Sequence, residues 1–195
     1  MARTAQSPVR RHAAHAALAA LLAAAGLAGA QPTADSAWAA LQDGTIVLLR
    51  HAQAPGVGDP SGFKLGDCST QRNLSEAGRA QARGIGERFR TQGVAVGAVL
   101  TSQWCRTRDT AELAFPGQAR DDPDFNSFFG DGAREAAQSA AAAATLSRWR
   151  GPGVMVVVTH QVNITALTGI VPASGEAVVV RPKAGGIEVV GRLHP

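Results

Sequence analysis

The sequence predicts an α/β domain, a three-layer α/β/α sandwich built on a largely parallel central sheet. Compact apolar runs at 45–49, 94–100 and 154–158 alternate with stretches of helical spacing, the pattern of successive βα units. Two of these runs, 45–49 and 154–158, are apolar without alternation, as strands covered on both faces must be. The chain has 195 residues, 45% of them hydrophobic, which suits one core and one domain.

The first 30 residues stand apart. Arg3, Arg10 and Arg11 precede an apolar run from Ala13 to Ala28, broken only by His15, and Ala28-Gly29-Ala30 offers small residues ahead of Gln31-Pro32. That is the grammar of a secretory signal peptide, so residues 1–30 are expected to be a leader and 31–195 the domain. The leader holds three of the 19 Lys+Arg and none of the 15 acids, which leaves the remainder at +1. No basic face for nucleic acid follows from that balance. Aromatics are 5% of the chain and Tyr is absent, which also argues against a base-stacking platform.

Residues 34–41 suit a short lead-in helix. The run at 45–49 reads as the first strand, ending in Arg50-His51; Pro55, Gly56, Gly58, Pro60 and Gly62 then mark an open loop. Asn73 reads as a helix N-cap with Glu76 as its capping-box partner. Leu74, Ala77, Gln81, Ile85 and Phe89 follow at helical spacing, and Gly93 suits the stop. A second strand at 94–100 ends in Thr101-Ser102, and 105–115 reads as the next helix. Residues 121–132 read as a loop, and the Ala-rich 133–150 as a helix on propensity. The run at 154–158 is the clearest buried strand and leads into Thr159-His160 and a short helix to about 169. Segments 177–181 and 187–193 read as closing strands.

Ligands of open α/β sheets sit at strand carboxyl ends. Three strands here end in Arg50-His51, Thr101-Ser102 and Thr159-His160, with Arg106 starting the helix after the second. Fork-shaped guanidinium donors and a neutral imidazole are what binding and attacking a phosphoryl group require. A cationic second imidazole would stabilise charge on the phosphoryl oxygens. Cys68 and Cys105 both follow the leader, and export favours a disulfide between them over two free core thiols. No spacing resembles a metal-ligand cluster, so neither metal nor cofactor is expected. Trp104 and Phe128-Phe129 read first as core or rim packing and second as flanks of a substrate entrance. Arg108 should face away from Arg106 toward solvent.

Leu48-Leu49-Arg50-His51-Ala52 resembles the Arg-His-Gly signature of the histidine phosphatase (phosphoglycerate-mutase-like) superfamily. The stretch from Asn73 to Ala82 is similar to that family's first-helix motif, Val99 to Ala111 to its second-arginine motif, and Val156 to His160 to the strand bearing its second histidine. The resemblance implies that His51 is the nucleophile and that Arg50, His51, Arg106 and His160 form the phosphate pocket, with His160 catalytic as well. Ala52 and Gln161 each stand where the family usually has Gly. Ser127 falls where many relatives carry the proton-donating Glu, which leaves Asp124 as the nearest carboxyl candidate and Asp131 as the next.

The expected function is therefore a periplasmic or secreted, metal-independent phosphatase that cleaves a phosphate ester or related phosphoryl compound through a phosphohistidine on His51. Its substrate would be a small-molecule or surface-glycan phosphate, and no membrane insertion is expected after leader cleavage. Mutase activity is the weaker expectation for an exported chain. The competing expectation is a non-catalytic phosphate-binding protein that kept the pocket and lost the donor.

Overall fold

A computed structural model describes residues 34–195, together with residues 1 and 2. The expected leader lies outside the described residues but for those two. Helix α1 (Ala34–Ala39) leads into β1 (Ile46–Arg50), and a long irregular segment follows before α2 (Glu76–Thr91). Then come β2 (Val96–Thr101), α3 (Cys105–Ala114), β3 (Ala119–Asp121), α4 (Glu135–Ser147), β4 (Val154–Thr159) and α5 (Gln161–Thr168). The hairpin β5 (Ala177–Lys183) and β6 (Gly186–Leu193) closes the chain.

The strands form one sheet in the order β3-β2-β4-β1-β5-β6. The four from β3 to β1 pair in parallel, while β5 and β6 run antiparallel to their neighbours. Alternation along the strands feeds two cores. Val47, Leu49, Val156 and Val158 point to the face covered by α1, α2 and α3, where Trp38, Ile85, Phe89 and Phe115 gather. Ile46, Leu48, Met155 and Val157 point to the other, where α4 and α5 bring Ala142, Leu146 and Ile164. Burying each such aliphatic side chain is worth about 1.5–3 kcal/mol, which is why these strands read as uninterrupted apolar runs.

Two local expectations are corrected. The cap of α2 is Ser75, whose Oγ accepts from Gly78 N at 3.0 Å. Asn73 instead donates from Nδ2 to Cys68 O at 2.7 Å. The helix starts late because Ser75 N donates to Gln53 O at 3.1 Å, which holds Ser75 extended beside the segment after His51. Strand β3 covers two residues to which the sequence assigned no element and Asp121, the first of the expected loop; its three residues pair along β2 at the sheet edge and lack any apolar pattern. The close approach of α2 to that segment depends on Gly78, where a Cβ would lie 2.0 Å from Gln53 O.

Candidate active site

Strands β1, β4 and β2 lie side by side, and their carboxyl ends share one level because the ladder continues one residue further. His51 N donates to Thr159 O at 3.0 Å and Ser102 N donates to Val158 O at 3.0 Å. His51, Ser102 and His160 are thereby brought together at the point where the chain direction across the sheet reverses, the expected place for a ligand. A cavity of about 580 Å³ opens there, lined by Arg50, His51, Arg72, Arg106 and His160 at its polar end.

His51 is buried, and its Nδ1 lies 2.7 Å from Ala52 O. A carbonyl only accepts, so Nδ1 carries the proton and the lone pair is on Nε2, which has no partner among the described residues. Burial, helped by the charges of Arg106, Arg72 and Arg50 and opposed by the Ala52 hydrogen bond, pushes the ring's pKa down to about 3. His51 is therefore a neutral imidazole with a free nitrogen at any ordinary pH. The methyl of Ala52 is fully buried with Ala54, Leu74 and Ala82.

His160 caps α5 and is fixed in the opposite sense. Arg106 Nη2 donates to its Nδ1 at 3.4 Å; a guanidinium cannot accept, so Nε2 carries the proton and donates to Ser102 Oγ at 2.8 Å. Ser102 Oγ in turn donates to Asn126 Oδ1 at 3.3 Å. Asn126 is itself anchored by a donor from Gln103 N and by Asn163 Nδ2 on its backbone oxygen. Burial first, then Arg106, holds the His160 pKa well below that of a free histidine. The second imidazole is thus neutral at rest, not the cation that the sequence suggested; the positive charge of the pocket comes from arginines.

Arg50 donates to Pro172 O at 2.8 Å, and the Nε atoms of both Arg50 and Arg106 are buried without a partner. Arg106 makes a two-pronged ion pair with Asp59, Nη1 to Oδ1 at 2.7 Å and Nη2 to Oδ2 at 3.2 Å. Asp59 Oδ2 also accepts from Trp104 Nε1 at 3.0 Å and Oδ1 from Arg72 N at 3.2 Å. Arg72 holds the loop from within: its Nε donates to Gly58 O at 2.7 Å and its Nη1 to Ala54 O. A disulfide between Cys68 and Cys105, with Cα atoms 5.7 Å apart, ties this loop to the first turn of α3 next to Arg106.

The structure thus gathers Arg50, His51, Arg106 and His160 but not Asp124. Asp124 sits in a short 3₁₀ turn (Pro123–Phe125) whose Phe125 is buried in the core, and its side chain is not among those lining the cavity. Ser127 and Asp131 do line it, Asp131 at the exposed rim. Asp59 and Arg72 are the residues that sequence reasoning missed. Trp104, stacked on Phe63 with ring centroids 5.0 Å apart, Phe128 and Phe129 all line the cavity, and Trp104 and Phe128 are buried as well, so packing and cavity wall coincide in these two aromatics. Arg108 points away and pairs with Asp121. Among the described residues, no group of three or more His, Cys, Asp or Glu is placed to hold a metal ion.

The family model described as the histidine phosphatase superfamily (branch 1) matches residues 46–130. No match was found among curated proteins. Among solved structures, the chain is similar to phosphoglycerate mutase from Thermus thermophilus, with 18% identity and a TM-score of 0.51 over 77% of this chain and 99% of that one. It is similar to the mycobacterial glucosyl-3-phosphoglycerate phosphatase, with 20% identity and a TM-score of 0.53 over 75% and 97% of the two chains. The protein histidine phosphatase SixA in complex with tungstate gives 16% identity and a TM-score of 0.50 over 77% and 97%. At such identities these likenesses establish the fold, which is phosphoglycerate-mutase-like.

Proposed function

Residues 46–130 are a histidine phosphatase superfamily (branch 1) segment, and on that premise we propose that this protein is a phosphatase working through a phosphohistidine at His51 Nε2. The observation that carries the reading is the tautomer of His51: Nδ1–H is held by Ala52 O, and Nε2 is free and unprotonated in a pocket lined by Arg50, Arg106 and His160. A nucleophile needs that free lone pair, and a pure binding site does not.

The chemistry follows in order. The arginines draw in the phosphate and neutralise its charge. Attack by Nε2 on phosphorus leaves the ring cationic, and the Ala52 carbonyl, already accepting from Nδ1, stabilises that charge. His160 is neutral at rest and gains a proton more readily once a phosphate dianion lies beside it, since an anionic neighbour favours the charged imidazole. Water then splits the phosphohistidine. The substrate we propose is a small-molecule or surface-glycan phosphate; of the similar structures, the glucosyl-3-phosphoglycerate phosphatase supports a phosphate ester. The Cys68–Cys105 disulfide supports placing the protein in an oxidising compartment, periplasmic or extracellular.

The test is hydrolysis of para-nitrophenyl phosphate by the wild type and by His51→Ala, with phosphoryl label from the radiolabelled ester, trapped by an alkaline quench and lost on acid treatment, as a second readout. We expect the variant to lose at least about 10⁴-fold in kcat and all label. Equal rates in the two proteins would defeat the reading.

A further inference from the structure

A phosphate ester of an ordinary alcohol does not leave unaided; the departing oxygen needs a proton. Of the two carboxylates that line the cavity, Asp131 is on the exposed rim, whereas Asp59 reaches the polar end. Its four donors come from three residues of the cavity lining: Arg106 twice, Trp104 Nε1 and Arg72 N. Arg106 is also the residue that an incoming phosphate requires, and Asp59 engages both of its terminal nitrogens. A phosphate at His51 therefore competes with Asp59 for the same guanidinium.

We infer that Asp59 is the proton donor of this site, released from Arg106 by the substrate's own phosphate; the inference rests on the phosphatase reading. In the resting site the ion pair with Arg106 keeps the carboxyl ionised against the cost of burial, which pushes the other way. When the phosphate takes Arg106, the burial cost remains and a dianion arrives beside it, so both influences now favour the protonated acid. Asp59 follows a turn in which Gly56 and Gly58, either side of Val57, hold φ of +93° and +68°, a conformation that glycine adopts without strain.

The protons balance. Substrate entering as a monoanion beside an ionised Asp59 is equivalent to a dianion beside protonated Asp59. As the Nε2–P bond forms and the P–O bond breaks, the leaving oxygen takes the Asp59 proton and the alcohol departs. Asp59, now a carboxylate, accepts a proton from the water that attacks phosphorus. The N–P bond breaks, its electron pair returns to Nε2, and inorganic phosphate and protonated Asp59 complete the turn.

The experiment is a leaving-group series, para-nitrophenyl, phenyl and para-methoxyphenyl phosphate, read as kcat/KM for wild type and Asp59→Asn. General acid catalysis is worth about 10²–10⁴-fold for a poor leaving group and far less for a good one. The deficit of the variant should therefore widen by about tenfold or more along the series, giving it the steeper dependence on leaving-group basicity. Asn keeps one acceptor oxygen, enough for Trp104 or Arg72 but not both, and residual para-nitrophenyl phosphate turnover certifies that the variant is folded. Parallel lines for the two proteins, or a variant dead on all three esters, would overturn the inference and leave the phosphatase reading standing. A wild type inert on every ester would overturn both.

Discussion

Arg50, His51, Ser102 and His160 stand at the ends of β1, β2 and β4, or one residue past them, held by sheet hydrogen bonds that continue beyond the strands. Asp59, Phe63 and Arg72 reach the same pocket from the irregular segment between β1 and α2, held by side-chain contacts, glycine turns and one disulfide. One wall is positioned by the core, so displacing it means deforming the sheet. The other is positioned by side-chain contacts, turns and a disulfide, and Asp59 itself belongs to none of the buried apolar clusters. The nucleophile and the second histidine are on the rigid wall, where alignment matters most; the acid is on the wall that has to yield when substrate enters.

The largest way to test that division is at Arg106, where the walls meet, since it touches His160 on one side and Asp59 on the other. Arg106→Ala should cost about 10²–10³-fold in kcat/KM, the usual loss when a charge-stabilising donor is removed. It should also lower thermal stability, because the partly buried Asp59 loses its counter-ion. A variant that keeps both rate and melting temperature would show that neither wall depends on this residue.

Next in size is the disulfide. The Cys68→Ser, Cys105→Ser double variant opens a loop with a sequence separation of 37, which the chain-entropy account values at about 3–4 kcal/mol. Denaturant melts should show that loss. Amide exchange should then quicken in the Asp59–Arg72 segment while β1 and β4 keep their protection. Uniform loosening of both would erase the distinction between the walls.

The last test concerns the rigid wall alone. His51 is neutral in the folded protein down to about pH 3, against an ordinary value of 6.5. Its folded pKa is depressed, so the stability it contributes is complete above about pH 6.5 and is lost as pH falls toward 3; His160 works in the same direction. For His51 each pH unit inside that window removes up to about 1.4 kcal/mol. Urea melts between pH 7 and 4 should steepen accordingly, and His51→Gln should flatten the slope.

The same contrast governs what the sequence revealed. Strands β1 and β4 were legible because burial on both faces forces an apolar run, and Arg50, His51 and His160 could be placed because they follow such runs directly. The loop wall has no period to read. Asp59 meets Arg106 across 47 positions, and nothing local to Gly58-Asp59-Pro60 announces the encounter. The one available signal was the count of acids between His51 and the next helix, where Asp59 and Asp67 are the only two. Asp124 attracted attention by its place in the order of motifs, but a turn pinned by buried Phe125 turns it away from the cavity. The misplaced helix cap has a related cause: Ser75 is extended by a bond to Gln53, a contact 22 positions distant that no capping pattern records.

Gly78 extends the point to a residue with no chemistry. Helix α2 rests directly on the Gln53 carbonyl, two residues beyond the nucleophile, and a methyl group at position 78 would overlap that oxygen. The contact is backbone to backbone, so no side chain can rotate to make room. Any replacement at this position must lift the helix or shift the segment that holds His51. A position that touches neither substrate nor phosphate therefore has as little freedom to vary as the histidine it supports, and a random-mutagenesis library selected for turnover should be almost as bare at residue 78 as at residue 51.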